Sequence, residues 1–225
     1  RTGGVVTAAS VLADVLAAMG GFGRGRWYHT YGNHELYTTL TRPHMQAAMG
    51  IPFVEEGGGE RVGYYSFVPF AGFRFVVVDT YDEAVIGRAE GSEKKEKAVE
   101  YLKANNPNYA KGQINAPEGL TGLSRRFVAF NGGVGPVQLA WLRSELSAAV
   151  ASGERVILLS HQPFHPDSCD PMTLPFNYEA VLDVLRSFEG TVVATFSGHT
   201  HNSGYAHDRG IHHVVVAGGG GAPPP

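Results

Sequence analysis

The sequence predicts an α/β domain, and three observations carry the prediction. Arg155-Val156-Ile157-Leu158-Leu159 and Thr191 to Phe196 are nearly continuous apolar runs, as expected of strands buried on both faces. Stretches with helical spacing, Pro136 to Val150 and Tyr178 to Phe188, alternate with them. Such alternation builds a sheet with helices packed against it. The chain of 225 residues is long enough for one sizeable core and contains no internal repeat.

In chain order, Val5, Ala9, Leu12, Leu16 and Met19 recur at helical spacing until Gly20-Gly21 stops them. Trp27 to Tyr31 is aromatic and β-favouring and predicts a short strand. Thr41 to Met49 predicts a short helix with Pro43 in its first turn and Gly50 behind it. Gly57-Gly58-Gly59 marks a turn before a strand over Arg61 to Phe67, whose partner is Phe73 to Val78, reaching Asp79. Ser92 to Asn105 predicts a charged helix capped by Ser92, its Lys/Glu run read as a solvated face. Asn106 to Gly133, rich in Asn, Gly and Pro, reads as an insertion around one short strand near Phe127 to Phe130. The helix Pro136 to Val150 presents Val137, Leu139, Ala140, Trp141, Leu142 and Leu146 as its apolar face. His212 to Ala217 is the last strand.

Composition narrows the function. A 43% hydrophobic fraction sets aside disordered and fibrous classes, and a formal charge of -3 argues against a broadly basic nucleic-acid surface. No apolar stretch approaches the roughly 20 residues of a membrane span. Cys169 is the single cysteine, so no internal disulfide forms and a reducing, cytoplasmic setting is preferred. The start at Arg1 and the Gly218 to Pro225 tail point to a piece of a longer protein: one partial domain over 1–217, an insertion at about 82–135, and a Gly/Pro-rich tail at 218–225.

Three predicted strands end in loops bearing nitrogen or oxygen donors: Gly32-Asn33-His34-Glu35, Ser160-His161-Gln162-Pro163 and Ser197-Gly198-His199-Thr200-His201. In open α/β sheets, sites form outside the carboxyl ends of strands. Taken singly, each histidine is most simply a loop hydrogen-bonding residue; taken together with Asn33, they read as metal ligands. Imidazoles and a carboxamide without thiolate suit manganese, iron or zinc. Such ions polarise a phosphoryl oxygen and yield hydroxide near neutral pH, best as a pair roughly 3.5–4 Å apart. His34, beside a ligand, is the candidate proton donor to the leaving oxygen. Glu35 is read as orienting His34 or as pairing at the surface.

These blocks resemble the third, fourth and fifth signatures of the calcineurin-like metallophosphoesterases. Within that superfamily the chain is similar to the manganese-dependent ADP-ribose/CDP-alcohol diphosphatases. Tyr81-Asp82, Val85-Ile86-Gly87-Arg88, Phe130-Asn131-Gly132-Gly133, Gln138-Leu139, Trp141-Leu142, Asn177-Tyr178 and His213-Val214 carry the narrower likeness. The resemblance implies a sandwich of two mixed β-sheets flanked by helices, here truncated at the N-terminus and at the C-terminus. It implies two divalent ions, manganese first, with Asn33, His161 and His199 on one, His201 on the second, and His34 catalytic. The implied reaction is hydrolysis of the phosphoanhydride of nucleoside diphosphate conjugates, ADP-ribose or CDP-choline, by a monomer with no nucleic-acid or membrane partner. The family's Asp-x-His and Gly-Asp blocks are expected upstream of Arg1, so weak metal binding and low turnover are expected of this segment. Arg88 is a candidate for the diphosphate, and Tyr178, Tyr37 and Phe176 are candidates for stacking on a base. Another phosphodiesterase or phosphomonoesterase, or a non-catalytic scaffold, are the competing readings.

Overall fold

The computed structural model describes residues 27–37 and 41–217; the predicted helix over Val5 to Met19 and the tail from Gly218 lie outside them. The described residues form helices α1 (Asn33–Leu36), α2 (Arg42–Met49), α3 (Glu93–Asn105), α4 (Pro136–Ala151) and α5 (Tyr178–Arg186). Their strands are β1 (Val54–Glu56), β2 (Glu60–Val62), β3 (Tyr65–Phe70), β4 (Phe73–Val77), β5 (Glu83–Ala84), β6 (Gly132–Gly133), β7 (Arg155–Leu159), β8 (Val192–Ser197), β9 (Gly204–Asp208) and β10 (Ile211–Val215).

A six-stranded mixed sheet in the order β3-β4-β7-β8-β10-β9 organises these residues, and β1-β2 and β5-β6 are two-stranded ribbons. The expected α/β architecture with a mixed sheet and flanking helices is therefore present. The described residues contain one large sheet rather than two. β4, β7, β8 and β10 run parallel to one another, and β3 and β9 close the edges antiparallel. Pro69 lies in edge strand β3, where the register with β4 shifts between Phe67 and Phe70, the position at which a residue without an N–H is tolerated.

Strand periodicity divides the core. Val76, Val78, Val156 and Leu158 face α4 and α5, where they meet Leu142, Leu146, Val181 and Leu185. Phe75, Val77, Ile157 and Leu159 face the opposite side with Phe67, Phe73 and Phe196. On α4 the inward residues are Gln138, Leu142, Leu146 and Ala149, while Val137, assigned above to the apolar face, is 53% exposed. Gln138 turns inward because its amide bonds the Asp79 backbone and the Asp82 carboxylate.

Three other expectations are corrected, and one strand was not anticipated. Trp27 to Tyr31 forms no strand: it lies along the sheet through the Tyr28–Phe67 stack at 3.6 Å and the Tyr65 hydroxyl's bond to the His29 carbonyl at 2.8 Å. The predicted strand over Arg61 to Phe67 breaks into β2 and β3 because the Gly63 N–H is taken by the Asp79 carboxylate at 3.0 Å. Phe127 to Phe130 is a turn, and the insertion's strand is instead β6, paired with β5. β9 went unread because only Ala206 along it is buried.

β10 carries a buried histidine whose titration sets a pH dependence. His213 is 1% exposed, its Nδ1 meets Thr195 Oγ1 at 3.0 Å, and its Nε2 has no partner. Burial, then the neighbouring His165, pushes its pKa from 6.5 down to about 4, against the opposing pull of Asp208. Between those values the unfolded chain binds a proton that the folded chain does not. Stability is thus full above pH 6.5 and falls toward pH 4, by about 1.4 kcal/mol per pH unit for this group. Urea midpoints are expected to fall less steeply with acid in His213→Leu; parallel slopes for the two proteins would remove His213 as the cause.

Candidate metal centre

The parallel register sets Val77, Leu159 and Phe196 side by side at the ends of β4, β7 and β8. The loops that follow leave the sheet together and carry Asp79, His161 and His199. Asn33 arrives from the N-terminal turn of α1, behind Gly32 in extended conformation (φ -111°, ψ 169°).

His161 is the hub. Its Nε2 lies 3.0 Å from Asn33 Oδ1 and 3.1 Å from His199 Nδ1. The two imidazole centroids are 4.8 Å apart. Two donors held at about 2.1 Å from one ion, at right angles, stand about 3.0 Å from each other. The spacing therefore fits a shared divalent cation, and the donor set is the imidazole and amide oxygen expected. Burial, then the cationic forms of His34 and His201, pushes the His161 pKa from 6.5 down to about 3. His199 is lowered in the same direction, by burial first and then by His161 and His201. Both rings are neutral at pH 7, the state a metal requires.

The loop is bent to achieve this. His199 and His201 have φ of 66° and 64°, the left-handed region that costs a non-glycine residue about 1–3 kcal/mol. Gly198 N–H to the His161 carbonyl at 3.0 Å and Thr200 Oγ1 to Thr173 Oγ1 at 2.9 Å hold the turn. Glu35 reaches back to accept the Gly32 N–H at 3.0 Å, giving that carboxylate a helix-start role not assigned to it from the sequence.

Gly32 is required by contact rather than by dihedral. A Cβ there would lie 2.7 Å from Glu35 Oε2 and 2.8 Å from Cε1 and Nδ1 of His161. Gly32→Ala is expected to push the His161 ring aside and lower manganese affinity by about 10–100-fold, the loss typical of a displaced supporting group. Calorimetric titration checks it.

The structure brings Asn33, His161 and His199 together. His201 and His34 are exposed and stand beside one another, ring centroids 6.3 Å apart, with His34 edge-on to Tyr37 at 6.1 Å. Of the four substrate candidates, Tyr37 is 51% exposed beside His34, and the other three are engaged elsewhere in the fold. Arg88 is buried on Glu60 at 2.8 Å and the Arg61 carbonyl at 2.9 Å. Tyr178 is 6% exposed within the core beside Leu142 and Val181. Phe176, likewise a stacking candidate, is buried against Phe127 and Leu102. Asn131 was missed as a site residue: its Oδ1 meets His199 Nε2 at 2.9 Å. Its position within Phe130-Asn131-Gly132-Gly133 was the available signal.

Comparison with known proteins agrees with this geometry. Residues 7–203 match the family model for calcineurin-like phosphoesterases. The chain is 37% identical over 196 residues to the manganese-dependent ADP-ribose/CDP-alcohol diphosphatase of Bos taurus, covering 83% of this chain and 56% of that protein. It is 40% identical over 190 residues to the protein of the same name from Oryza sativa, covering 84% and 56%. The chain thus spans a little over half the length of these relatives. A dimetal phosphatase from Danio rerio, solved by crystallography, superposes with a TM-score of 0.77 at 36% identity, covering 92% of this chain and 64% of that one. With the family model spanning most of the sequence, the chain belongs to the calcineurin-like phosphoesterases.

Proposed function

We propose that the protein hydrolyses the phosphoanhydride bond of nucleoside diphosphate conjugates, ADP-ribose and CDP-alcohols such as CDP-choline. The observation that carries this reading is that Asn33 Oδ1 and His199 Nδ1 both meet His161 Nε2, at 3.0 and 3.1 Å, across one sheet edge. The named activity of the diphosphatase relatives selects the substrate class.

Asn33, His161 and His199 would hold one divalent ion, manganese first, and His201 would contribute to a second. Bound there, the ions polarise the phosphoryl oxygens and lower the pKa of water. Asn33 supplies a neutral oxygen, so the first ion keeps its positive charge for the diphosphate. His34, exposed beside His201, is free to approach the leaving phosphate and deliver a proton to its departing oxygen. The partner is a small molecule. No helix among the described residues is long and apolar enough to cross a membrane. Separately, the single Cys169 favours a reducing, cytoplasmic setting, and the proposed state is a monomer.

A panel with added manganese tests the reading: ADP-ribose and CDP-choline against a phosphodiester and a phosphomonoester. Diphosphate conjugates are expected to be cleaved fastest, yielding a nucleoside monophosphate. Preference for the diester or monoester would replace this function with another phosphoesterase activity, and inertness of the full-length protein toward all four would favour a scaffold.

A further inference from the structure

We propose that Asn131 is a positioning residue: it fixes His199 as its Nε2–H tautomer and so directs the Nδ1 lone pair to the point shared with His161 and Asn33. The proposal rests on the metal-centre reading given above.

Backbone groups of fixed polarity surround the Asn131 amide. Asn131 is fully buried, and its Nδ2 lies 2.8 Å from the Arg126 carbonyl and 2.7 Å from the Met172 carbonyl. Both carbonyls only accept, so the amide nitrogen must occupy that side and the amide oxygen the other. The oxygen side is fixed a second time. Gln162 Oε1 accepts the Gly132 N–H at 3.2 Å, which leaves Gln162 Nε2 to donate to Asn131 Oδ1 at 2.9 Å. Inverting either amide would break bonds on both of its sides.

Asn131 Oδ1 therefore presents an acceptor to His199 Nε2 at 2.9 Å. A bare Nε2 there would set two acceptors face to face in a buried site, so Nε2 carries the hydrogen. A neutral imidazole has one N–H, and Nδ1 is left with its lone pair. That lone pair faces His161 Nε2 at 3.1 Å. Without metal, His161 Nε2–H bridges Asn33 Oδ1 and His199 Nδ1. Metal binding needs that one proton to leave Nε2, while His199 is already in its binding form. Asn131 and Arg126 both belong to the segment read as an insertion, and Met172 comes from the turn that precedes α5. The insertion thus acts on the metal centre through one amide.

Nitrogen chemical shifts of the His199 ring in the metal-free protein test this without any substitution. The Nε2–H pattern is expected at neutral pH; an Nδ1–H pattern overturns the proposal. Two variants extend the test. Asn131→Leu removes the acceptor and is expected to give mixed tautomers and to lower manganese affinity about 10–100-fold. Asn131→Asp keeps an oxygen toward His199 and is expected to keep the Nε2–H pattern even where stability falls. Asn131→Leu with an unchanged ring pattern and affinity within about twofold would also overturn it. An Nε2–H pattern in a protein that binds no manganese would defeat the metal-centre reading while upholding the tautomer assignment.

Discussion

His161→Ala is expected to abolish measurable manganese binding and, with it, the proposed hydrolysis of ADP-ribose. Outer groups that merely orient a ligand contribute about 10–100-fold to metal affinity, and a ligand at the hub contributes more. The reason lies in where the ring stands. Asn33 Oδ1 and His199 Nδ1 each meet His161 Nε2, at 3.0 and 3.1 Å, so its loss leaves two donors with no common partner. The imidazole also occupies the space against Gly32 and packs on Tyr81, centroids 6.0 Å apart, so alanine leaves a hole at the sheet edge. His201→Ala removes an exposed side chain and is expected to lower turnover while leaving the first ion's affinity within about tenfold. Isothermal titration with manganese and a coupled assay of released monophosphate separate the two. Full activity in His161→Ala would end the metal-centre reading.

What could be read from the sequence divides along a physical line. β7, with Arg155 to Leu159 as its bounds, was legible because a strand buried on both faces is an uninterrupted apolar run. α3 was legible because Ser92 announces it, and Ser92 Oγ does accept the Lys95 N–H at 3.3 Å. The convergence of His161 and His199 was legible because parallel strands β7 and β8 deliver their loops to one edge, whereas Asn33 reaches it from α1 and not from the expected strand. Asn131 was not, since its importance lies in four partners drawn from positions 126, 162, 172 and 199, and separation along the chain conceals them. Lys94 failed for the opposite reason. It stands in a run of charges that reads as solvent-facing, yet it is 8% exposed and ion-paired to Glu56 at 2.7 Å and to Asp82. Periodicity identifies an apolar face; it gives no warning of a cation recruited inward by buried carboxylates.

Another buried carboxylate, Asp79, carries the second large effect: Arg42→Met is expected to destabilise the fold by about 3–5 kcal/mol, the cost of leaving one partner of a buried ion pair alone. Asp79 is fully buried and Arg42 is 4% exposed, with Nη1 2.5 Å from Asp79 Oδ2. The remaining lone pairs of Asp79 accept the Gly63 N–H at 3.0 Å and the Tyr81 N–H at 2.9 Å. Burial raises the Asp79 pKa, but Arg42, Arg88 and the Gly63 N–H together outweigh it and hold the carboxyl below its usual 3.8. Its contribution is therefore complete above that pH and is lost only as acid carries the solution through the lowered value. Arg42 also donates to the Tyr81 carbonyl at 2.6 Å and the Gly87 carbonyl at 3.2 Å, so methionine strands those acceptors as well. Pairing Arg42→Met with Asp79→Leu removes both charges, and the double variant is expected to lose less than the sum of the two single losses. Urea unfolding of the four proteins measures the coupling. A strictly additive cycle, or a loss under about 1 kcal/mol for Arg42→Met alone, would show that the pair is not what holds the end of β4 beneath the histidines.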